Sequence, residues 1–335
     1  MENYSDSELK GFYSFRGFLI LMVVLFHFTF RFNEIYPEFN HSQNIFLNVN
    51  HGYFFVNIFF ILSGFFVLRS VFEKSPEHFI VSRMKKILPE YWISVPLIFL
   101  IVSYLGLPGR EATFLDMLLN FGFFNIFFGR PYVDAAHWAI EKFILFYIFV
   151  YLIKKFDLMP KLKHIIYILA VISLLFLYFI GSSIVQENHL IAGVLLLISK
   201  IFFMKQFYLF GFGMLLFMSS KKNEIYFHFL MFLAVSFLID GQIGAMFLVG
   251  FFIIAFLLIK WGGASSPIFY PLSWLGGISY PLYLVHQNIG YAIIRQSYAL
   301  GINPNMAVVF AIAIAIILSV LVSRISATLI KKIDL

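Results

Sequence analysis

Arg16 and His27 stand eleven positions apart in an otherwise apolar stretch. At about 100° per residue, that spacing returns both to nearly one face of a helix, roughly 16 Å apart along its axis. A guanidinium offers forked donors to phosphate oxygens, and a buried neutral imidazole can take a proton from a hydroxyl. Ionisable groups at such depth in an apolar segment are functional as a rule, because exposing them to lipid is costly. The bland alternatives are a snorkelling arginine and a hydrogen-bonded core histidine. The shared face favours chemistry.

Further candidates follow along the chain. In residues 52–65 Asn57 is polar, while Ser63 and Gly64 are small enough to admit a thin ligand or a neighbouring helix. Arg69 and the run Arg83, Lys85 and Lys86, just ahead of Pro89, suit a bound anion near a helix start or ordinary cytoplasmic charge. Glu141 lies between Trp138 and Tyr147. Its neighbour Lys142 should point away on a helix, so the glutamate is expected to find its partner elsewhere. Tyr280 and His286 fall in a late stretch, 276–287, where a helix–helix hydrogen bond competes with catalysis for His286. No histidine or carboxylate spacing suits a metal, and no phosphate-binding loop or nucleophile elbow occurs.

The elements that hold these residues are membrane helices. Of 335 residues, 61% are apolar and only 12% charged, with a mean hydropathy of +0.90. That excludes a soluble globule. The expected fold is an all-α polytopic membrane protein of about ten spans, near 12–32, 52–72, 87–106, 138–154, 164–183, 201–219, 225–239, 243–260, 276–298 and 305–330. With both termini inside, most Lys and Arg fall on the cytoplasmic side, whereas only Arg31, Arg110, Arg130, Lys200 and Arg295 fall outside. The net charge of +7 is therefore read as membrane orientation, with no nucleic-acid partner. The apolar stretches 115–128 and 190–201 are short and are read as interfacial or re-entrant. The first span is too long for a signal peptide, and the absence of cysteine removes disulfides and thiol chemistry.

Taken in order, these stretches resemble the acyltransferase family 3 membrane proteins, bacterial O-acyltransferases that decorate surface carbohydrates. The resemblance rests on Arg16 with His27, on Phe59 to Phe65 with Ser63-Gly64, on Arg83 to Lys86 with Pro89 and Tyr91, on Trp138 with Tyr147, and on Ile278 to His286. It covers nearly the whole chain, so residues 1–335 are expected to form one membrane-embedded domain without a fused soluble domain. Two positions depart from the family pattern. An acidic residue common five positions after the tryptophan is Phe143 here, with Glu141 two positions earlier, and Asn57 stands near the place just before Phe59-Phe60 where relatives often carry an acid.

The resemblance implies acyl-CoA, acetyl-CoA above all, as co-substrate, no tightly bound cofactor, and a carbohydrate hydroxyl or its lipid-linked precursor as acceptor. It also implies a bacterial cytoplasmic (inner) membrane location, among membrane lipids. Arg16, Arg69, Arg83, Lys85 and Lys86 would then hold the nucleotide end, with Ser63 and Gly64 leaving room for the pantetheine arm. His27 would act as general base with Glu141 in the catalytic set. Asn57, Trp138, Tyr147, Tyr280 and His286 would line the acceptor site, Asn57, Ser63 or Tyr280 donating to the oxyanion. A proton-coupled glycolipid transporter or flippase, or a non-catalytic membrane partner, is the competing class.

Overall fold

The computed structural model describes residues 6–41, 47–180, 193–195, 198, 204–219, 221–262 and 269–333. The chain is an all-α polytopic membrane protein. Among the described residues, seven helical stretches are long and apolar enough to cross a bilayer: Gly11–Ile35, Tyr53–Phe72, Pro76–Leu105, Ala135–Lys155, Met159–Ile180, Lys222–Gly250 and Pro304–Lys332. We number the helices α1 (Asp6–Phe26), α2 (Tyr53–Phe72), α3 (Pro76–Leu105), α4 (Phe114–Phe121), α5 (Trp138–Lys155), α6 (Leu162–Ile180), α7 (Met204–Met218), α8 (Lys222–Gly262), α9 (Tyr270–Gly277), α10 (Ser279–Val285), α11 (Gln287–Ala299) and α12 (Pro304–Ile333).

The difference from ten spans has local causes. The expected spans 225–239 and 243–260 both lie in α8, which breaks at Gly241 with φ 71° and ψ −167°. That left-handed φ is one a residue without Cβ adopts freely. The expected ninth span is divided into α9, α10 and α11, each too short to cross alone. The sixth, α7, has 15 residues. The stretch 115–128 folds as the eight-residue α4 and a 3₁₀ turn, Phe124–Ile126, as its short length required. Most of 190–201 lies outside the described residues.

The chain packs as two compact units. The first comprises Met1–Phe55, Lys85–Ala139 and Ala255–Leu335. Gly17 of α1 and Gly276 of α9 meet at one crossing: a Cβ on Gly17 would overlap the Leu272 carbonyl, and one on Gly276 the Tyr13 carbonyl. Small residues here let two backbones touch. Further along, Arg16 meets Ser279, His27 meets His286, and the Phe28 ring fills the space over Gly290. Thus α10 and α11 run beside α1 in the same direction. The same holds for α3, since the Ile87 carbonyl meets Tyr280 and the Leu105 carbonyl meets Gln296.

The second unit comprises Val56–Met84 and Ile140–Ile254. Its core stacks Phe60, Phe143, Phe146 and Phe210, with Phe146 and Phe210 rings 4.0 Å apart. Gly64 of α2 and Gly213 of α7 form a second close crossing, each occupying the space beside the other helix's backbone, at the Phe210 and Ile61 carbonyls. The Lys154 ammonium donates to the Val71 and Lys74 carbonyls, closing the end of α2.

Candidate active site

At His27 the α-helix widens into a π-helical turn, His27–Arg31. Such turns carry an extra residue and free carbonyls that other groups must satisfy. Here the buried His41 ring does so, its Nε2–H donating to the Phe28 carbonyl at 2.8 Å while its Nδ1 accepts from the Tyr298 hydroxyl at 2.7 Å. Thr29 is fixed as well, donating to the Leu25 carbonyl and accepting from the Val49 amide. The turn is therefore pinned at the two residues that follow the histidine.

The two imidazoles of His27 and His286 meet edge to face, with centroids 4.8 Å apart. Each Nδ1 lies 2.8 Å from a backbone carbonyl, that of Val23 for His27 and that of Tyr283 for His286. A carbonyl only accepts, so each Nδ1 carries the proton. In the neutral pair each Nε2 then keeps a lone pair. That of His286 faces the Nδ1–H of His27 at 3.2 Å, which this proton shares with Val23. The Nε2 of His27 makes no hydrogen bond among the described residues. It is an imidazole lone pair held free for a proton.

The break between α10 and α11 is what aims His286. The Asn288 amide, which a continuous helix would direct to Leu284, donates instead to Asp134 Oδ2 at 2.8 Å. The released Leu284 carbonyl accepts from His137 Nε2 at 3.1 Å, and the Tyr283 carbonyl accepts from His286 itself. Asp134 and His137 come from one 3₁₀ turn, Ala135–His137, ahead of α5, with Asp134 Oδ1 capping it through Ala136. Burial pushes the Asp134 carboxyl above the usual carboxylate range, opposed by nearby His286 and by the two amide donors. Arg110 stands 5.5 Å over the Tyr291 ring, and that ring lies 6.5 Å from His27. The Tyr291 hydroxyl is buried with no hydrogen-bond partner.

Asp134, His137, Arg110, Asn288 and Tyr291 do not stand out in the sequence. Only the Asp-Ala-Ala-His turn directly before Trp138 offered a signal, as an aspartate able to cap a turn. Tyr280 is corrected in its role: its hydroxyl donates to the Ile87 carbonyl at 3.0 Å, on the Arg16 side of the unit, so its proton is not aimed at an oxyanion beside His27. Trp138 is half-buried in the first unit at the start of α5.

Arg16 lies midway along α1, near the start of the span Gly11–Ile35, donating to Ser279 Oγ at 2.7 Å, while Ser279 donates to the Gly276 carbonyl. Its guanidinium also stands 5.9 Å from the Tyr13 ring centroid. Lys85 and Lys86 are exposed on α3 in the same unit. The sequence pair is therefore read out by one partner segment, Ser279 to His286, at both ends.

The remaining candidates lie in the second unit. Arg83 is packed between the Phe79 and Tyr147 rings, 5.6 Å from each, and its Nε is buried without a hydrogen-bond partner. Arg69 is 3.8 Å from Glu73, a half-exposed pair. Two expectations are corrected. Glu141 does have a local ion pair, with Lys142 Nζ 3.9 Å from its Oε2, both side chains buried; the lysine stem is long enough to fold back where two charges leave water together. Gly64 leaves no room for a pantetheine arm, because the Phe210 backbone occupies its open side. Ser63 and Asn57 are half-buried on α2.

The described residues contain no cluster of His, Cys, Asp or Glu suited to a metal ion, and the chain has no cysteine. No curated protein and no solved structure matches the chain. A family model, the acyltransferase domain of family 3, matches residues 10–324 and so takes in Arg16, His27 and the helices that partner them. The chain belongs to the acyltransferase family 3 membrane proteins.

Proposed function

We propose that this protein transfers an acyl group, acetyl in the simplest case, from cytoplasmic acyl-CoA to a hydroxyl of a cell-surface carbohydrate or its lipid-linked precursor, in a bacterial cytoplasmic membrane. The observation that carries the reading is the free Nε2 lone pair of His27, held by two acceptors on its far nitrogen. Family membership supplies the reaction class.

In this mechanism His27 Nε2 removes the proton of the acceptor hydroxyl as its oxygen attacks the thioester carbonyl carbon. The positive charge that forms on His27 is stabilised through Nδ1–H, which donates to Val23 and to His286 Nε2. The Tyr291 hydroxyl is the donor assigned to the oxyanion, because it is buried beside His27 with its proton uncommitted. Collapse of the tetrahedral intermediate breaks the carbon–sulfur bond, and the CoA thiolate takes the proton back from His27. The products are an ester and free CoA.

Arg16, near the start of the first span, anchors donor phosphate, with Lys85 and Lys86 adding point charge in the same unit. Ser279 holds the Arg16 guanidinium in place. Trp138 and His286, both in the first unit, are assigned to the acceptor side. The test is purified protein with radiolabelled acetyl-CoA and host surface glycan. Label should appear in glycan as a base-labile ester. Folded, purified protein that leaves the glycan unlabelled would defeat the proposal.

A further inference from the structure

Within the first unit, two arginines flank one aromatic pair beside His27. The Tyr36 and Tyr291 rings meet edge to face, 6.4 Å apart. The Arg110 guanidinium stands 5.5 Å over Tyr291, and that of Arg295 stands 5.3 Å over Tyr36 and 5.9 Å over Phe39. Stacking engages the face of a guanidinium and leaves its edge N–H groups for planar oxygen ligands.

Those edges are poorly used. Among the described residues neither arginine forms an ion pair, and the polar contact Arg110 makes is a long one, 3.4 Å to Asn288 Oδ1. Arg295 Nε is buried with no hydrogen-bond partner. Arg31 and Arg130, also assigned by the sequence to this side, each hold a carboxylate at 2.7 Å, from Glu34 and Asp116. Glu38 and Glu111 are exposed and act electrostatically on Tyr36, yet pair with neither arginine. Half-buried cations held by rings rather than by carboxylates are costly unless an anion arrives.

We infer that the acceptor is negatively charged, and that its carboxylate or phosphate oxygens seat between Arg110 and Arg295 while a hydroxyl of the same molecule reaches His27. This rests on the acceptor side of the proposed function and adds to it the substrate's charge. The carboxylate would belong to a uronic acid; the phosphate would belong to a polyprenyl carrier.

Calorimetric binding to the full chain in nanodiscs, without any acyl donor, tests this. The probes are a uronate-bearing oligosaccharide, the same oligosaccharide with its carboxyl reduced, and a polyprenyl-phosphate-linked neutral sugar. At least one anionic probe should bind about tenfold or more tightly than the neutral oligosaccharide, with the advantage shrinking as salt rises. Arg110→Gln and Arg295→Gln should each cost about tenfold of it. Preference for the uronate names a sugar carboxylate, and preference for the lipid-linked probe names the carrier phosphate. Equal binding of all three, or wild-type preference in both folded variants, overturns the inference. If the glutamine variants do not fold, Arg110→Lys, Arg295→Lys and the wild-type salt series decide, and salt-independent binding overturns it. A chain that binds the anion but moves no acyl group defeats only the enzymatic reading.

Discussion

His286 Nε2 lies 3.2 Å from His27 Nδ1, and both rings are oriented by carbonyls of their own helices. This relationship makes one histidine a base and the other its support. His27→Ala should lower kcat about 10²- to 10⁴-fold, as loss of a positioned base does, with little change in the KM for acyl-CoA. His286→Gln should cost less and shift the pH dependence of kcat/KM, because it changes what stabilises the charged His27. Steady-state kinetics across pH separate the two.

Arg16 sits near the start of the first span, tied to Ser279 by one of its terminal nitrogens. Arg16→Lys keeps charge but loses the fork. It should raise the KM for acyl-CoA several-fold, with Arg16→Ala worse, while the acceptor KM stays near wild type. Ser279→Ala should reproduce a fraction of the lysine effect. An unchanged donor KM in Arg16→Ala would remove the phosphate-anchor role.

Gly64 and Gly213 separate a packing seam from a ligand cleft. A Cβ at either would meet backbone of the opposing helix, which cannot move aside cheaply. Gly64→Ala should therefore destabilise by about 1–3 kcal/mol, read as a lower melting temperature in detergent. The folded fraction should keep its affinity for acyl-CoA. Gly277→Ala, with open space at its Cβ position, is the control.

His41 gives a pH signature. Burial holds its imidazole below the ordinary value of 6.5, against the Phe28 carbonyl that favours the charged ring. The folded state therefore binds fewer protons than the unfolded one below pH 6.5, and stability falls as pH drops from 6.5 toward the folded value. His41→Gln should flatten that slope by up to about 1.4 kcal/mol per pH unit, the limit for one proton. Melting temperatures between pH 5 and 7.5, by about half-unit steps, measure it.

The sequence by itself determined the class and the residues that carry the family pattern. Apolar runs and the positions of Arg and Lys are local properties, and the bilayer converts them directly into spans. It also placed Arg16 and His27 on one face, since helical periodicity follows from chain geometry alone. Only the tertiary structure decided what stands opposite them. Asp134 and His137 enter the site because a broken helix at His286 releases amides and carbonyls that a distant turn satisfies. The division of the ninth span, the closure of the cleft at Gly64 and the pairing of Glu141 with Lys142 are likewise outcomes of packing. A residue's type states which bonds it can make. Which it does make depends on groups brought near by folding, often more than a hundred positions away.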